Sequence, residues 1–136
     1  MAKAVAAQIE ATEGSLRASG TADALAVARR LTAARQAFLD AVDFIAANTR
    51  ANPNAAFAGS VPYLMLAGNV VAGWQLGRAL LVAQELSNKG QDAGFMQAKI
   101  ATARFYAEHI LVKAGAQRDA IVEGASSVTA MALEAF

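Results

Sequence analysis

The chain has 136 residues, with twelve basic and eleven acidic side chains, a formal net charge of +1 and no cysteine. This length fits one domain that is stable without disulfides, and the balanced charge excludes the basic footprint of a nucleic-acid-binding protein. Without cysteine there is no thiol catalysis, thiolate metal site or c-type haem attachment, and the N-terminal sequence lacks a signal-peptide core, so we expect a cytoplasmic protein.

Four long helices and no strands are predicted from alanine-rich, almost proline-free segments with helical periodicity. The first helix is predicted over residues 2–19 and is ended by Gly20. The second is predicted over residues 22–48, with Thr21 as its N-cap. The core-facing seam of the second helix is predicted to contain Ala24, Val27, Leu31, Ala34, Phe38, Ala41 and Ile45.

The third helix follows the main loop, which is predicted over residues 50–60 because this segment holds one of the two prolines. Ser60 is expected to cap the helix, and Pro62 is expected to lie in its first turn. The helix is expected to end near Ser87.

The fourth helix is predicted to begin near Asp92 or Phe95 and to end at Gly124. The predicted seam of this helix contains Met96, Ile100, Ala103, Ala107, Ile110, Ala114, Gln117 and Ile121.

A short C-terminal extension over residues 128–135 is expected to be capped by Ser126 or Ser127. Because short connections favour antiparallel neighbours, we predict an all-α fold, an up-down-up-down antiparallel four-helix bundle followed by this extension. The whole of residues 1–136 is expected to form a single domain.

Residues 61–82 form an apolar run long enough to cross a bilayer. Its one formal charge, Arg78, and the amides of Asn69 and Gln75 would be costly in lipid, and no cluster of basic residues sets an orientation. We therefore expect no membrane span and interpret the run as a tightly packed helix of a water-soluble fold.

A helical projection of this run leaves almost no polar face for water. Arg78 shares its stripe with apolar side chains, and the opposite stripe is apolar as well, so we expect this helix to need cover on both sides. Since a small bundle covers mainly one side, we predict an interface formed by Val71, Trp74, Arg78 and Leu81. In isolation the chain should then self-associate or expose apolar surface around these residues.

Charged residues in this chain allow both structural and functional readings. For Arg78 we hypothesise an ion pair with Asp40 or Asp43 on the second helix, or with a group from another chain, because an unpaired buried charge is costly. The pairs Glu10/Glu13 and Asp40/Asp43 are interpreted as solvated helix faces.

A basic group on the second helix, formed by Arg29, Arg30 and Arg35, has the charge to meet a phosphate. We favour pairing of these arginines with nearby carboxylates. The di-iron pattern of helical bundles is not met, since His109 directly follows Glu108 and the two side chains cannot project to one metal. No catalytic, cofactor-binding or metal-ligating residue is therefore predicted.

Three segments resemble the extra C-terminal helical domain of the enlarged acyl-CoA dehydrogenases, the subgroup of methylmercaptopropionyl-CoA dehydrogenase type. In order, they are PYLMLAGNVVAGWQLGRALLVAQ from Pro62, KIATARFYAEHIL from Lys99 and EGASSVTAMALEAF from Glu123. The resemblance covers the second half of the chain well and the first half only by helix lengths and the Asn52-Pro53 loop. Where this subgroup often has a proline, the chain has Val112, so we expect the fourth helix to continue without a kink.

The resemblance implies a parent enzyme that uses FAD to oxidise an acyl-CoA to its 2,3-enoyl-CoA. The family's glutamate base and flavin-binding groups belong to the preceding core domains, and no residue here matches them. It therefore implies a non-catalytic structural and assembly domain from the C-terminus of a larger flavoenzyme. Its partners would be the catalytic domains of the parent or a second subunit, in a homo-oligomer.

Two other functions remain open on the sequence. One is a stand-alone bundle that binds an acyl chain or acyl-CoA in a cavity lined by small residues. The other is a helical protein that lies on a membrane or granule surface.

Overall fold

The computed structural model describes residues 1–135, which are helical in every regular element. The all-α prediction is confirmed. The α-helices are α1 (Ala2–Ser19), α2 (Ala22–Ala51), α3 (Pro53–Ala58), α4 (Ser60–Asn88), α5 (Ala93–His109), α6 (Ala114–Val122) and α7 (Ala125–Val128), with 3-10 turns at Leu111–Lys113 and Leu133–Ala135.

The connection between α1 and α2 forms as predicted from local signals. Gly20 adopts the left-handed conformation, with φ of 70°, and its N–H donates to the carbonyl of Arg17. A side chain would be strained at this φ, so glycine is suited to end the helix. The hydroxyl of Thr21 accepts a hydrogen bond from the N–H of Ala24 at 3.2 Å, which confirms Thr21 as the N-cap of α2.

The predicted loop over residues 50–60 is wrong in part, because it contains the short helix α3. The side chain of Asn52 accepts from the N–H of Ala55 at 3.3 Å, and Pro53 lies in the first turn of α3. The predicted cap at Ser60 is also wrong. Gly59 occupies the N-cap position of α4, and no side chain caps that helix.

The prediction of one continuous fourth helix is wrong, because the chain breaks at Ile110. Helix α5 ends at His109, a 3-10 turn follows in which the N–H of Lys113 donates to the carbonyl of Ile110 at 3.0 Å, and α6 begins at Ala114. The break places Leu111, which is almost fully buried, against the bare backbone of Gly73 on α4. Close packing therefore accompanies the kink without a proline.

The C-terminal extension also differs from the prediction. Helix α7 begins at Ala125, with Gly124 in the N-cap position and no side-chain cap, so neither Ser126 nor Ser127 caps a helix over residues 128–135. The hydroxyl of Ser127 instead donates to the carbonyl of Gly124 at 2.8 Å. Within residues 129–135, the regular structure is a 3-10 turn at Leu133–Ala135.

Side-chain contacts define the directions of the long helices. Lys3 of α1 pairs with Asp43 near the end of α2 at 3.0 Å, so these helices run antiparallel. On the other side of α2, Phe38 stacks with Tyr63 near the start of α4, while the start of α2 contacts Gln84 near the end of α4. Helix α1 packs on α2 and α4, and so do α5 and α6, so the core lies along the α2–α4 contact. The largest fully buried apolar side chains are Ile9, Leu16, Val27, Leu31, Leu66, Val70, Leu80 and Ile121.

A buried carboxylate joins α1 to α2. The side chain of Glu13 is 0% exposed, and it accepts from Arg35 Nε at 2.7 Å, from Arg35 Nη2 at 3.1 Å and from the Thr32 hydroxyl at 2.8 Å. The hydrogen bond to Glu13 raises the pKa of Arg35 above its ordinary value, although burial of Arg35 acts in the opposite direction. The interpretation of Glu10 and Glu13 as a solvated pair is therefore wrong for Glu13, whereas Glu10 is exposed and reaches Arg35 at 3.4 Å.

Candidate docking face

Helix α4 carries an exposed stripe along its whole length, and the first half of this stripe has no charged residue. Val61 and Leu64 are each 71% exposed and Met65 is 55% exposed. Phe57, on the preceding helix α3, is 65% exposed. We define the docking face as Phe57, Val61, Leu64, Met65 and Val71.

The opposite side of α4 packs closely on the rest of the chain. A Cβ added at Gly73 would lie 2.6 Å from Leu111 Cδ1, and one at Gly77 would lie 3.3 Å from Leu16 Cδ1. These two glycines therefore admit neighbouring side chains on the buried side of α4. The sequence-based expectation of a tightly packed helix is confirmed for this side only.

The four residues of the predicted interface lie in two different environments. Val71 and Arg78 are exposed, whereas Trp74 and Leu81 are half-buried against the core. The indole Nε1 of Trp74 donates to the hydroxyl of Thr12 on α1 at 2.8 Å. The structure does not bring these four residues together on one open surface, and their joint role in an interface stays a prediction.

The hypothesised ion pair between Arg78 and Asp40 or Asp43 is wrong. Arg78 is exposed, and its Nη1 donates to Gln75 Oε1 at 3.0 Å. Asp40 pairs instead with Arg118, at 3.5 Å, and Asp43 pairs with Lys3. These two pairings fail because Arg78 is exposed, although Trp74 and Leu81 of the same stripe pack against the core. The third partner considered, a group from another chain, stays a prediction.

A groove of about 440 Å³ extends the exposed stripe of α4 towards α5. Gln75, Arg78 and Val82 of α4 line this groove, and Phe95 and Lys99 line it from α5. At the other end of the docking face, an apolar cleft of about 380 Å³ opens between α2, α3 and α4. This cleft is lined by Val42, Ile45, Ala46, Thr49, Ala56, Phe57, Ser60 and Tyr63.

The polar groups near the docking face have structural partners. The hydroxyl of Tyr106 donates to the backbone carbonyl of Asn69 at 3.3 Å, and burial raises the pKa of Tyr106 above its usual value. His109 is exposed and stacks on Phe105, with 4.4 Å between ring centroids. Among residues 1–135, no cluster of three or more His, Cys, Asp or Glu side chains has the geometry to hold a metal ion.

No helix within the described part of the chain is both long enough and apolar enough to span a bilayer. Helix α4 is long enough, but its glycines and polar residues lower its hydropathy.

Sequence reasoning missed Phe57, Val61, Leu64 and Met65. Apolar residues surround α4 almost completely, so hydropathy gives little contrast between its two sides. Gly73 and Gly77 gave a usable signal for the buried side of α4, because small residues allow side chains of neighbouring helices to approach the backbone closely.

Comparison with known proteins defines the class of this fold. A family model described as "Acetyl-CoA dehydrogenase C-terminal like" matches residues 1–132, and the chain therefore belongs to this family of acyl-CoA dehydrogenase C-terminal domains. The chain is 45% identical over 132 residues to 3-methylmercaptopropionyl-CoA dehydrogenase from Ruegeria pomeroyi. The match covers 97% of this chain and 22% of the relative, so the chain spans about a fifth of the length of that protein.

Proposed function

We propose that this chain is the C-terminal docking and assembly domain of an FAD-dependent acyl-CoA dehydrogenase in the cytoplasm. The parent enzyme would oxidise an acyl-CoA to its 2,3-enoyl-CoA. The long helices α1, α2, α4 and the broken α5–α6 pair would form an up-down-up-down bundle. This bundle would dock its open α4 side on the dehydrogenase body, which is the rest of the parent polypeptide in the same subunit or in a second subunit of a homo-oligomer.

The observation that carries the proposal is the exposure of large apolar side chains on the docking face. Full burial of one such side chain contributes roughly 1.5–3 kcal/mol of favourable free energy. Burial of Phe57, Val61, Leu64 and Met65 against a partner would therefore be strongly favourable. Contiguous exposed apolar patches mark interaction sites. The family relationship supplies a candidate cover, because the larger part of the matched relative lies outside the segment that this chain matches.

Catalysis is assigned to the dehydrogenase body. Residues 1–135 contain no strand, and therefore no glycine loop between a strand and a helix to cradle dinucleotide phosphates. The two grooves beside α4 are open clefts, which do not fit a flavin that has to be enclosed. We therefore place the FAD of the parent enzyme in its body, where the resemblance to the family also implies the glutamate base.

The proposal is tested by comparing one substitution in two contexts, the isolated chain and the complete polypeptide encoded by its reading frame. Leu64→Ser is expected to change the free energy of unfolding of the isolated chain by less than about 0.5 kcal/mol, because Leu64 is largely exposed there. In the complete polypeptide it should destabilise the docked domain by about 1–3 kcal/mol, because the side chain is buried.

Leu25→Ser is the matched control, since Leu25 is an exposed leucine on α2 and lies outside the docking face. It should have a small effect in both contexts. An equal effect of Leu64→Ser in the two contexts would contradict the proposal. A reading frame that starts at Met1 and encodes no dehydrogenase body would contradict it as well.

A second candidate function, binding of an acyl chain, is favoured by the apolar cleft between α2, α3 and α4. Calorimetric titration of the isolated chain with palmitoyl-CoA separates the two functions. Saturable binding that is lost in Ala56→Phe, a change that fills the cleft, would favour the acyl-binding function over docking.

A further inference from the structure

The groove between α4 and α5 differs from the docking face in that it combines apolar and cationic side chains. Its lining includes Val82, Leu86, Phe95 and Met96 together with Arg78 and Lys99. None of the residues that line this groove carries a carboxylate. The groove is therefore both apolar and positively charged.

The two cations are held above aromatic rings. The guanidinium carbon of Arg78 lies 5.7 Å from the ring centroid of Trp74, and Nζ of Lys99 lies 5.1 Å from that of Phe95. These contacts fix the cations without neutralising their charge.

Neither Arg78 nor Lys99 forms an ion pair with a carboxylate of residues 1–135. Other cations on or next to the same two helices do form such pairs, since Lys89, directly after α4, pairs with Glu85, and Arg104 of α5 pairs with Asp23 and Glu108. The groove therefore contains two cations, Arg78 and Lys99, whose charges are not paired with a carboxylate within the described chain.

We propose that the α4/α5 groove binds an acidic amphipathic helix of the dehydrogenase body. That helix would place an apolar stripe on Val82, Leu86 and Phe95 and carboxylates opposite Arg78 and Lys99. The inference rests on the proposed function, because the helix belongs to the body on which the domain docks. A groove between two packed helices suits a third helix, which presents anchors at spacings of three and four residues.

The shape of the groove argues for a helix over a small anionic ligand. Along α4 the lining extends from Gln75 to Leu86, which is about 16 Å at the helical rise of about 1.5 Å per residue. Small-molecule sites bury about 70–90% of their ligand. Most of the residues that line this groove are exposed, so the groove is too open to enclose a small ligand in this way.

Charge argues against a second copy of this chain as the occupant. In a symmetric dimer whose two-fold axis passes through the groove, the groove would face the same groove of the second copy. Arg78 and Lys99 of one copy would then approach those of the other, and like charges at close range oppose association. A partner that carries carboxylates removes this conflict.

Zero-length carbodiimide cross-linking of the complete polypeptide tests the inference, because this reagent joins a lysine amine directly to a carboxylate in contact with it. Mass spectrometry should find Lys99 linked to an Asp or Glu of the dehydrogenase body. The link should be lost in 1 M NaCl, where the screening length falls to about 3 Å. Lys113 is the control, since it is also exposed and lies outside the groove.

A Lys99 link to the body, absent from Lys113, supports the inference. Links from Lys99 only to carboxylates of this chain, or equal yields from Lys99 and Lys113, would overturn it. If the docking face is protected in the complete polypeptide while Lys99 forms no link to the body, the inference is wrong and the proposed function stands. If neither region contacts the body, both are wrong.

Discussion

The α1–α2 interface and the outer side of α4 differ in the burial and pairing of their side chains. Between α1 and α2, the carboxylate of Glu13 is fully buried and both of its oxygens accept hydrogen bonds from Arg35 or Thr32. On the outer side of α4, Leu64 is largely exposed and Arg78 has no carboxylate partner within residues 1–135.

The charged groups of the α1–α2 contact find their partners within residues 1–135, whereas the exposed groups on the outer side of α4 do not. A buried charge is tolerated only where every partner is in place, so the α1–α2 contact needs nothing further. Within residues 1–135, the exposed stripe of α4 has neither apolar cover nor a carboxylate paired with Arg78, which is expected of a surface that functions against a partner.

The largest effect on stability is expected at the buried carboxylate. Glu13→Gln removes the fully buried charge that pairs with Arg35 and leaves Arg35 only the exposed carboxylate of Glu10, and removal of one partner of a buried pair costs about 3–5 kcal/mol. Glu10→Gln removes the exposed carboxylate that contacts the same arginine and should cost less than about 1 kcal/mol. Urea denaturation of both variants measures the contrast. Equal losses would show that the burial of Glu13 has no energetic consequence.

A leucine pair on α4 compares the two sides of one helix. Leu66→Ala removes a fully buried side chain and should cost about 2–5 kcal/mol. Leu64→Ala should change stability of the isolated chain by less than about 0.5 kcal/mol. Chemical denaturation measures both values, and a large loss for Leu64→Ala would show that the outer side is already covered.

Two glycine-to-alanine substitutions on α4 are expected to change the stability of the isolated chain in opposite directions. Gly73→Ala forces its new methyl group against Leu111, which is enclosed and cannot move freely, and overpacking costs about 1–3 kcal/mol. Gly68→Ala meets no atom within 4 Å and should stabilise the isolated chain by up to about 1 kcal/mol through helix propensity. Thermal unfolding of both variants measures the signs. Stabilisation by Gly73→Ala would contradict the close approach of Leu111.

The smallest expected effect is the pH dependence from Tyr106. Because burial raises the pKa of Tyr106 in the folded chain, its contribution to stability is complete below the ordinary pKa of about 10 and is lost as the pH rises through the folded value. The free energy of unfolding should therefore fall more steeply above about pH 10 in the unsubstituted chain than in Tyr106→Phe. If the free energy of unfolding falls equally with pH in both proteins, Tyr106 is not the cause of the fall.

The sequence predicted those parts of the fold that depend on neighbouring residues. The end of α1 at Gly20 and the start of α2 at Thr21 follow from local backbone and capping chemistry. The break at Ile110 could not be found in this way, because it accompanies the packing of Leu111 on Gly73 of another helix.

The candidate site was predicted only in outline. The need of α4 for additional cover followed from its composition, but the side that remains open depends on how α1, α2 and α5 pack around it. The burial of Glu13 depends in the same way on Arg35 and Thr32, which are distant in the sequence. Amphipathic contrast, which usually orients a helix, is weak in α4.

Oxidation of two methionines by hydrogen peroxide tests the docking proposal most directly. Met65 on the docking face is 55% exposed and Met131 in the C-terminal segment is 60% exposed, so the isolated chain should oxidise at both at similar rates. In the complete polypeptide, Met65 should become resistant to oxidation while Met131 continues to react. Equal rates at Met65 in the two contexts would contradict docking through this face of α4.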